Sequence, residues 1–456
     1  MKKKFLIYIA LVVSFSFSCE KLEFEPKSDL LTEEAIQTED DLLLVLNSCY
    51  DVMANTINGR SQYYAELLSD NLARPFNNED FIEVYNHNML FFNGSIGSFY
   101  GEFYITIFRI NSLLANYDQV DGVTDATITK LENEGKFLRA LCHYEVTRLF
   151  AQPYGYTTDN SHDGIALVTE LVREPLPRSS VQETYDQVIT DLTDIEDQLP
   201  DVNDGGVYAT KWAAKALLAR IYFGMGRYQD AIDKCDEIIN SGKFTLDPSV
   251  NRYTSTVSPE AIFYIESTNG NNRSGGFRDQ FSSNSDNPQL TISLDAYNIY
   301  NDTLDARSNW FVPVALGETN QQIKINKFDA DFFQIPYLSL TEVLLTRAEA
   351  MIELQGDVNT IVSDMNQIIE RAFGTGNRVV GTGFSYDALL DRVRLERRKE
   401  FIGEGDRIFQ LKRYGAIEKE LGIEVRDNPW DCNGMILQFP ISEKSEVFEL
   451  NPTGGC

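Results

Sequence analysis

The sequence predicts a mainly α-helical protein, with a tetratricopeptide-like scaffold of helical pairs that carries long irregular loop insertions and a few short strands. Apolar residues recur at helical spacing in segments such as 134–150. Small and large residues alternate between the neighbouring segments 210–224 and 228–240, as they do in a tetratricopeptide pair. Stretches rich in glycine and asparagine separate the helical blocks, which favours loop insertions over an uninterrupted repeat array.

The helices can be placed from their spacing and their capping residues. In 134–150, Leu138, Cys142 and Val146 follow one another at intervals of four residues and fall on one helical face. The next helix is expected to begin at Ser180, because Ser180 and Glu183 have capping-box spacing. By the same reasoning, further helices are predicted at 210–224, 228–240, 338–354, 358–373 and 386–402.

The pair 210–224 and 228–240 is the part that matches a tetratricopeptide unit. Ala219 and Ala231 are small enough to let the two helices approach closely. The proline that usually ends such a repeat is replaced by Lys243, so the match is partial.

Two segments, 69–100 and 241–335, have a different composition. They are rich in glycine, asparagine and aromatic residues, and short apolar pieces such as 261–265 indicate a few strands. Loops on a rigid scaffold often carry binding residues. We therefore expect a binding protein whose ligand contacts come from these two insertions.

The first nineteen residues predict export and a lipid anchor. Lys2 to Lys4 precede an apolar run at 5–13, which is too short to span a bilayer, and Cys19 stands at the expected cleavage position. The segment resembles a bacterial lipoprotein signal, so residues 1–18 are predicted to be removed and Cys19 to be acylated. The alternative is an ordinary signal peptide beside an incidental cysteine. The remaining chain, 19–456, is expected to form a single domain, and no later segment is apolar enough to span.

Charge and composition limit the class of ligand. Loss of the three signal lysines takes the net charge from -29 to -32, which would repel nucleic acid. Aromatic residues make up 12% of the chain, with 22 tyrosines. Tyrosine can cover an apolar surface and offer a hydroxyl, which suits a sugar- or peptide-binding surface and also an ordinary core.

Five cysteines follow Cys19, and an odd number leaves at least one free. Cys142 and Cys235 lie in apolar-periodic helices and are assigned to the core. Cys432 and Cys456 lie in turn-rich segments near the C-terminus, where an oxidising compartment would allow a disulfide between them.

A run of carboxylates near the C-terminus has a structural and a catalytic interpretation. Glu396, Glu400 and Glu404 recur every four residues and share a helical face, where cations must intervene. A hydrolase could use two of them as acid and base. We favour an ion-pair network that locks the last helices to the scaffold, with Arg397, Arg407 and Arg413 as candidate partners. Arg347 and Glu349 are likewise predicted to form structural ion pairs.

Metal sites and cofactors are not expected. His87, His143 and His162 lack metal-ligand spacing. The sequence matches calcium-loop spacing once, but an extended apolar segment follows instead of a helix, which favours a solvated acidic loop. The residues at calcium-loop spacing are Asp159, Ser161, Asp163, Gly164 and Glu170.

Several motifs, taken in chain order, resemble the SusD/RagB family. The helix 136–150, KFLRALCHYEVTRLF, ends on an aromatic residue and precedes a Pro/Gly segment at 153–155. The other matching segments are 178–185, 213–222, 338–350 and 396–407 with 411–415. The resemblance implies an all-α tetratricopeptide-like scaffold, a loop-built binding face and a TonB-dependent outer-membrane transporter of the SusC type as partner.

The function implied is that of an outer-membrane, cell-surface lipoprotein that captures an oligosaccharide and delivers it to this transporter, without catalysis. A peptide-binding member of the same family is the first alternative. An exported hydrolase on a helical scaffold is the second.

The resemblance also places the ligand on two loops, 70–85 and 297–310. Tyr85, Tyr297 and Trp310 are the candidate stacking platforms, although Tyr85 and Tyr297 could equally anchor their loops in the core. Trp310 is favoured because its neighbours Arg307 and Asn309 indicate exposure. The candidate hydrogen-bonding residues are Asp70, Asn71, Arg74 and Asn77.

Overall fold

The computed structural model describes residues 36–172 and 174–456. The predicted signal at 1–18 and the predicted lipidation site Cys19 lie outside the described residues. Within the described ranges, no helix combines the length and the hydropathy needed to cross a membrane.

The N-terminal half consists of antiparallel helical pairs, which confirms the predicted fold class. Its helices α1–α8 span Glu39–Thr56, Arg60–Leu68, Glu79–Tyr85, Gly94–Asn116, Asp125–Phe150, Val181–Ile195, Lys211–Gly224 and Tyr228–Asn240. The predicted capping box is present at the start of α6, where Ser180 and Glu183 bond reciprocally. Helix α7 packs along α8, and Ala219 and Ala231 are buried between them.

The C-terminal half repeats the pattern with four helices, α11–α14, spanning Leu340–Glu353, Val358–Phe373, Tyr386–Glu400 and Arg407–Ala416. Helix α11 is central, because it packs against α8 of the N-terminal half and against both α12 and α13. The predicted segments 338–354, 358–373 and 386–402 fall within two residues of α11–α13.

Between these halves, the segment 241–335 contains short strands and short helices. Strand β1 (Ala261–Ile265) pairs antiparallel with β4 (Ile335–Ser339), and β2 (Phe311–Val314) pairs antiparallel with β3 (Gln322–Ile325). The helices α9 and α10 span Gly275–Phe281 and Leu294–Asn298. A two-residue hairpin, β5 (Glu424–Val425) and β6 (Asn428–Pro429), follows α14.

The expectation that 69–100 is an irregular loop is wrong. This segment contains all of α3 and the first turns of α4. Two of its asparagines are helix N-caps: Asn78 accepts a hydrogen bond from Phe81 N, and Asn93 accepts one from Ile96 N. An asparagine at a helix start and one in a turn look alike in a sequence.

The cysteines differ in their surroundings. Cys49, Cys142 and Cys235 are free and fully buried in the hydrophobic core. The structure joins Cys432 and Cys456 by a disulfide across a Cα–Cα distance of 5.5 Å.

Candidate functional site

The carboxylates of α13 are structural. Glu400, which is fully buried, lies 3.1 Å from Arg252, 2.6 Å from Arg371 and 3.0 Å from Arg307. Burial would raise the pKa of Glu400, but these cations outweigh it and lower the pKa to about 2. A carboxylate held in its charged form by three guanidinium groups is unsuited to act as a general acid.

The predicted ion-pair network is present, but its predicted cations were wrong. Glu396 pairs with Arg307 at 2.8 Å, and Glu404 pairs with Arg252 at 2.5 Å. These arginines come from the insertion 241–335, so the network fastens the insertion to the last helices. The expected partners pair elsewhere: Arg397 with Asp406, Arg407 with Asp70, and Arg413 with Glu349 and Glu418.

The expected ligand loop 70–85 and the segments on either side of the other expected loop, 297–310, are brought together in one small sheet. Leu72 bridges Ile292, and Ile292 bridges Ile323 of β3, which in turn pairs with β2. Ala73 N donates to the carbonyl of Thr291 at 2.9 Å, and Ser293 N donates to the carbonyl of Asn71 at 2.8 Å. We call the surface formed by residues 70–78 and 291–316 the loop face.

Asp70 and Asn71, at the start of the loop face, anchor its backbone through bonds to internal residues. Asp70 accepts hydrogen bonds from Arg407 at 2.9 and 3.0 Å and lies 3.2 Å from Arg398. Burial would raise the pKa of Asp70, but Arg407 and Arg398 lower it. Asn71 is buried and donates to Glu66 at 3.0 Å. Both predicted ligand contacts are therefore committed to internal partners, and their role is to position the loop.

Arg74 and Asn77 are exposed on the loop face, and neither forms a hydrogen bond or an ion pair with a residue that the structure describes. Phe76 lies between them with 71% of its surface exposed. The sequence reasoning missed Phe76, although its polar neighbours gave the same signal that was used to favour Trp310. These three side chains provide an apolar ring flanked by donors that are free to meet a ligand.

The preference for Trp310 as an exposed platform is wrong. Trp310 is only 4% exposed, and the ammonium of Lys327 lies 4.4 Å from the centre of its ring. Its neighbour Arg307 is fully buried, because it serves the ion-pair network rather than the surface.

Tyr297 and Tyr85 are both half-buried. Tyr297 packs edge-on against Phe311, with ring centroids 5.5 Å apart. The ring of Tyr85 lies under the guanidinium of Arg426, 4.0 Å from its central carbon. Each tyrosine therefore has a packing partner within the protein, as the core-anchor alternative expects.

Arg426 and the disulfide-linked C-terminal segments hold the loop from the other side. Arg426 donates to the carbonyls of Leu67 at 3.0 Å and Tyr85 at 2.5 Å, and also to the carbonyl of Ser69. Added Cβ atoms on Gly434 and Gly455 would lie 1.8 and 2.5 Å from the carbonyl oxygen of His87, so only glycine allows this approach. We call Arg426 together with 432–434 and 455–456 the C-terminal clamp.

A second cation, Lys412 of α14, is buried near the clamp. Its Nζ atom has no hydrogen-bond partner among the described residues, and burial lowers the pKa of Lys412 to about 7. Burial and the charges of Arg426 and Lys412 together lower the pKa of His87 to about 4. Burial therefore disfavours the protonated form of all three basic side chains, Arg426, Lys412 and His87.

The residues at calcium-loop spacing do not converge on one point. Asp159 accepts hydrogen bonds from Ser161, and Arg178 donates to the carbonyls of Asp163 and Gly164. In the ranges 36–172 and 174–456, no three or more His, Cys, Asp or Glu side chains are grouped as metal ligands.

The whole-chain comparisons agree with this architecture. A family model described as starch-binding, associating with the outer membrane, matches residues 21–223, and the SusD family model matches residues 317–429. The chain belongs to the SusD-like family. Two SusD-like proteins of Formosa agariphila are 25% and 23% identical to it, over 90% and 91% of both chains.

Solved structures with the same fold cover nearly all of the described protein. A SusD superfamily protein from Bacteroides thetaiotaomicron has a TM-score of 0.78 at 24% identity, and the match covers 91% of this SusD-like chain and 100% of the other. A laminarin-binding SusD-like protein has a TM-score of 0.72 at 18% identity, with the same coverage of 91% and 100%. At these identities the likeness is one of fold.

Proposed function

We propose that this SusD-like protein captures a glycan on the loop face and delivers it to a TonB-dependent outer-membrane transporter. The observation that carries the proposal is that two loops, more than 200 residues apart in the chain, form one surface on which Phe76 is exposed between two unengaged polar side chains. A ring face covers the apolar C–H surface of a sugar, while a guanidinium and an amide bind its hydroxyls.

The relatives support a glycan as the ligand. One structural neighbour is a laminarin-binding SusD-like protein, and another is a surface glycan-binding protein from Bacteroides uniformis. A family model that matches the N-terminal half is described as starch-binding. Both α- and β-glucans are therefore reasonable first probes.

The binding test uses laminarin oligosaccharides, maltooligosaccharides and a peptide mixture, followed by calorimetry on whichever binds. Phe76→Ala should weaken glycan binding about thirtyfold, the usual effect of truncating a central aromatic contact. Phe384→Ala is the matched control, because Phe384 is also exposed, at 51%, but lies outside the loop face. If Phe76→Ala bound the glycan with unchanged affinity, the loop face would not be the glycan-binding surface.

The same experiment separates the alternatives. Binding of peptides alone would favour the peptide-binding alternative. Cleaved oligosaccharide products that persist through purification would favour the exported hydrolase. The arginine contacts of Glu396 and Glu400 weigh against the hydrolase, since both carboxylates are already paired with buried guanidinium groups.

Membrane attachment through Cys19 belongs to the same proposal, with residues 19–456 as the exported unit. An apolar run too short to span, followed by this cysteine, favours acylation. Cys19→Ala should leave the protein soluble or unprocessed in membrane fractionation. A variant that still fractionates with outer membrane would contradict the anchor.

A further inference from the structure

A groove of about 350 Å³ lies between α4, the segment after α5 and the turn at 441–448. Tyr104, Ile107 and Phe108 of α4 form one wall, and Leu176 and Phe448 complete the apolar part of the lining. None of the residues that line it belongs to the loop face. Its volume is within the range of natural ligand pockets.

The walls of the groove are fixed by hydrogen bonds. Tyr104 donates its hydroxyl to the carbonyl of Ala166 at 2.9 Å, and Asn111 donates to the carbonyls of Val168 and Glu170 at 3.0 and 3.2 Å. Arg139 in turn donates to Asn111 at 3.1 Å. Because α4 is bonded in this way to the segment opposite, the groove is formed before any partner binds.

Large apolar side chains are exposed on every element that borders the groove. Such a concentration of exposed apolar surface marks an interaction site more often than a single exposed residue does. The five side chains are Ile105, Phe108, Leu171, Ile441 and Val447, which are 47, 39, 38, 44 and 48% exposed.

The polar part of the groove is negatively charged. Glu170, Glu174 and Glu443 line it, and its described lining residues include no lysine, arginine or histidine. The carboxylates of Glu170 and Glu174 have no hydrogen bond or ion pair with any described residue. Among the described residues, the carboxylate of Glu443 accepts one long hydrogen bond, of 3.4 Å, from Tyr100. These three carboxylates lie beside apolar side chains and form no ion pair with a cation of the described residues.

We propose that this groove is a docking site for a basic, amphipathic segment of a partner protein, in which apolar residues alternate with lysine or arginine. The apolar side chains enter the groove, and the cations pair with Glu170, Glu174 and Glu443. Complementary charge of this kind mainly sets specificity and association rate. The protein's own residues 20–35 do not fit this description, since they carry six acidic and two basic side chains.

The first test is fluorescence anisotropy with three labelled peptides. One alternates leucine and lysine, one alternates leucine and glutamate, and one alternates serine and lysine. The leucine–lysine peptide alone should bind, and added salt should weaken its binding because salt screens exposed charges. Absence of binding by this peptide, or equal binding by either of the others, would overturn the proposal.

The second test locates the binding. The double variant Glu170→Gln/Glu174→Gln should bind the leucine–lysine peptide about tenfold more weakly, and Phe108→Ser should also weaken it. The matched control is Glu266→Gln/Asp391→Asn, which removes the same charge from exposed positions outside the groove. An equal loss in the control would show attraction to the net negative charge and overturn the assignment. Glycan binding should be unaffected by all four substitutions at glutamate and aspartate, so this proposal can fail independently of the proposed function.

Discussion

The guanidinium of Arg426 lies over the ring of Tyr85, the last residue of α3. It also donates to backbone carbonyls before and after the segment 70–78. One side chain from the β5–β6 hairpin thus satisfies the carbonyls of Leu67, Ser69 and Tyr85. Because these carbonyls flank residues 70–78, Arg426 determines where the loop face lies relative to the last helices.

Arg426→Met should therefore destabilise the protein and also weaken glycan binding. Several buried carbonyls would lose their donor, at a cost of about 3 kcal/mol in the free energy of unfolding. Urea unfolding would measure this loss. Arg378→Met is the matched control, since Arg378 is exposed and holds a single ion pair, with Asp302, and should change stability little. Equal stability of the two variants would contradict the role given to Arg426.

The disulfide of the C-terminal clamp should contribute to both stability and affinity. For a separation of 24 residues, loss of the crosslink costs about 3 kcal/mol in the chain-entropy model. Cys432→Ser/Cys456→Ser should melt earlier, and reduction of the wild-type protein should reproduce the effect. Mass spectrometry of unreduced digests tests the pairing directly, and two alkylatable thiols at these positions would refute it.

Acid should destabilise the protein through Glu400. Its pKa is about 2 in the folded protein and about 4.3 in an unfolded chain, so the unfolded state binds its proton first as pH falls. The stabilisation is complete above pH 4.3 and is lost progressively toward pH 2. Glu400→Gln should be less stable at pH 7 and should show a smaller fall over this interval in urea unfolding. If the free energy of unfolding of Glu400→Gln fell with pH as steeply as that of the wild type, other carboxylates would be responsible for the loss of stability in acid.

Lys412 should add a second rise of stability with pH, in the alkaline range, which comes from the loss of a buried charge. Its pKa is about 7 when folded and about 10.4 when unfolded, so between these values the unfolded state holds more protons and stability rises with pH. Lys412→Met should flatten this rise. It should also stabilise the protein at pH 7 and below, because each pKa unit of burial cost corresponds to about 1.4 kcal/mol. A variant less stable than wild type at pH 6 would show that the ammonium has a partner.

The helical frame was predictable because its signals are local. Apolar spacing located the end of α5 at Phe150, although the helix begins at Asp125, nine residues before the predicted start. The capping box at Ser180 located the start of α6 within one residue. Exposure in the loops was not predictable in this way. The polar neighbours Arg307 and Asn309 indicated that Trp310 is solvent-exposed. Instead, Arg307 points into the core and pairs with Glu396 and Glu400, and the ammonium of Lys327 lies over the indole ring. These contacts join residues more than ten positions apart, which local sequence cannot reveal.

The same limit explains why Asp70 and Asn71 were assigned to the ligand. Both are polar residues next to an expected binding loop, and their partners Arg407 and Arg398 lie more than 300 residues further along the chain. Phe76 and Trp310 both have polar neighbours, but only Phe76 is exposed, so this local signal does not distinguish them. Trp310→Ala is now expected to lower the melting temperature, because it would leave a cavity in the core.

The C-terminal clamp also sets an order of assembly. Arg426 and His87 are 339 residues apart in the chain, so the loop that presents Phe76 gains its last support only after nearly the whole sequence has been synthesised. Contacts this distant in sequence form late in folding, because the chain between them must first be ordered. A chain truncated before residue 426 can form its N-terminal helical pairs but lacks the contacts that hold residues 70–78 in place. Ligand binding on the loop face therefore depends on synthesis of nearly the complete chain.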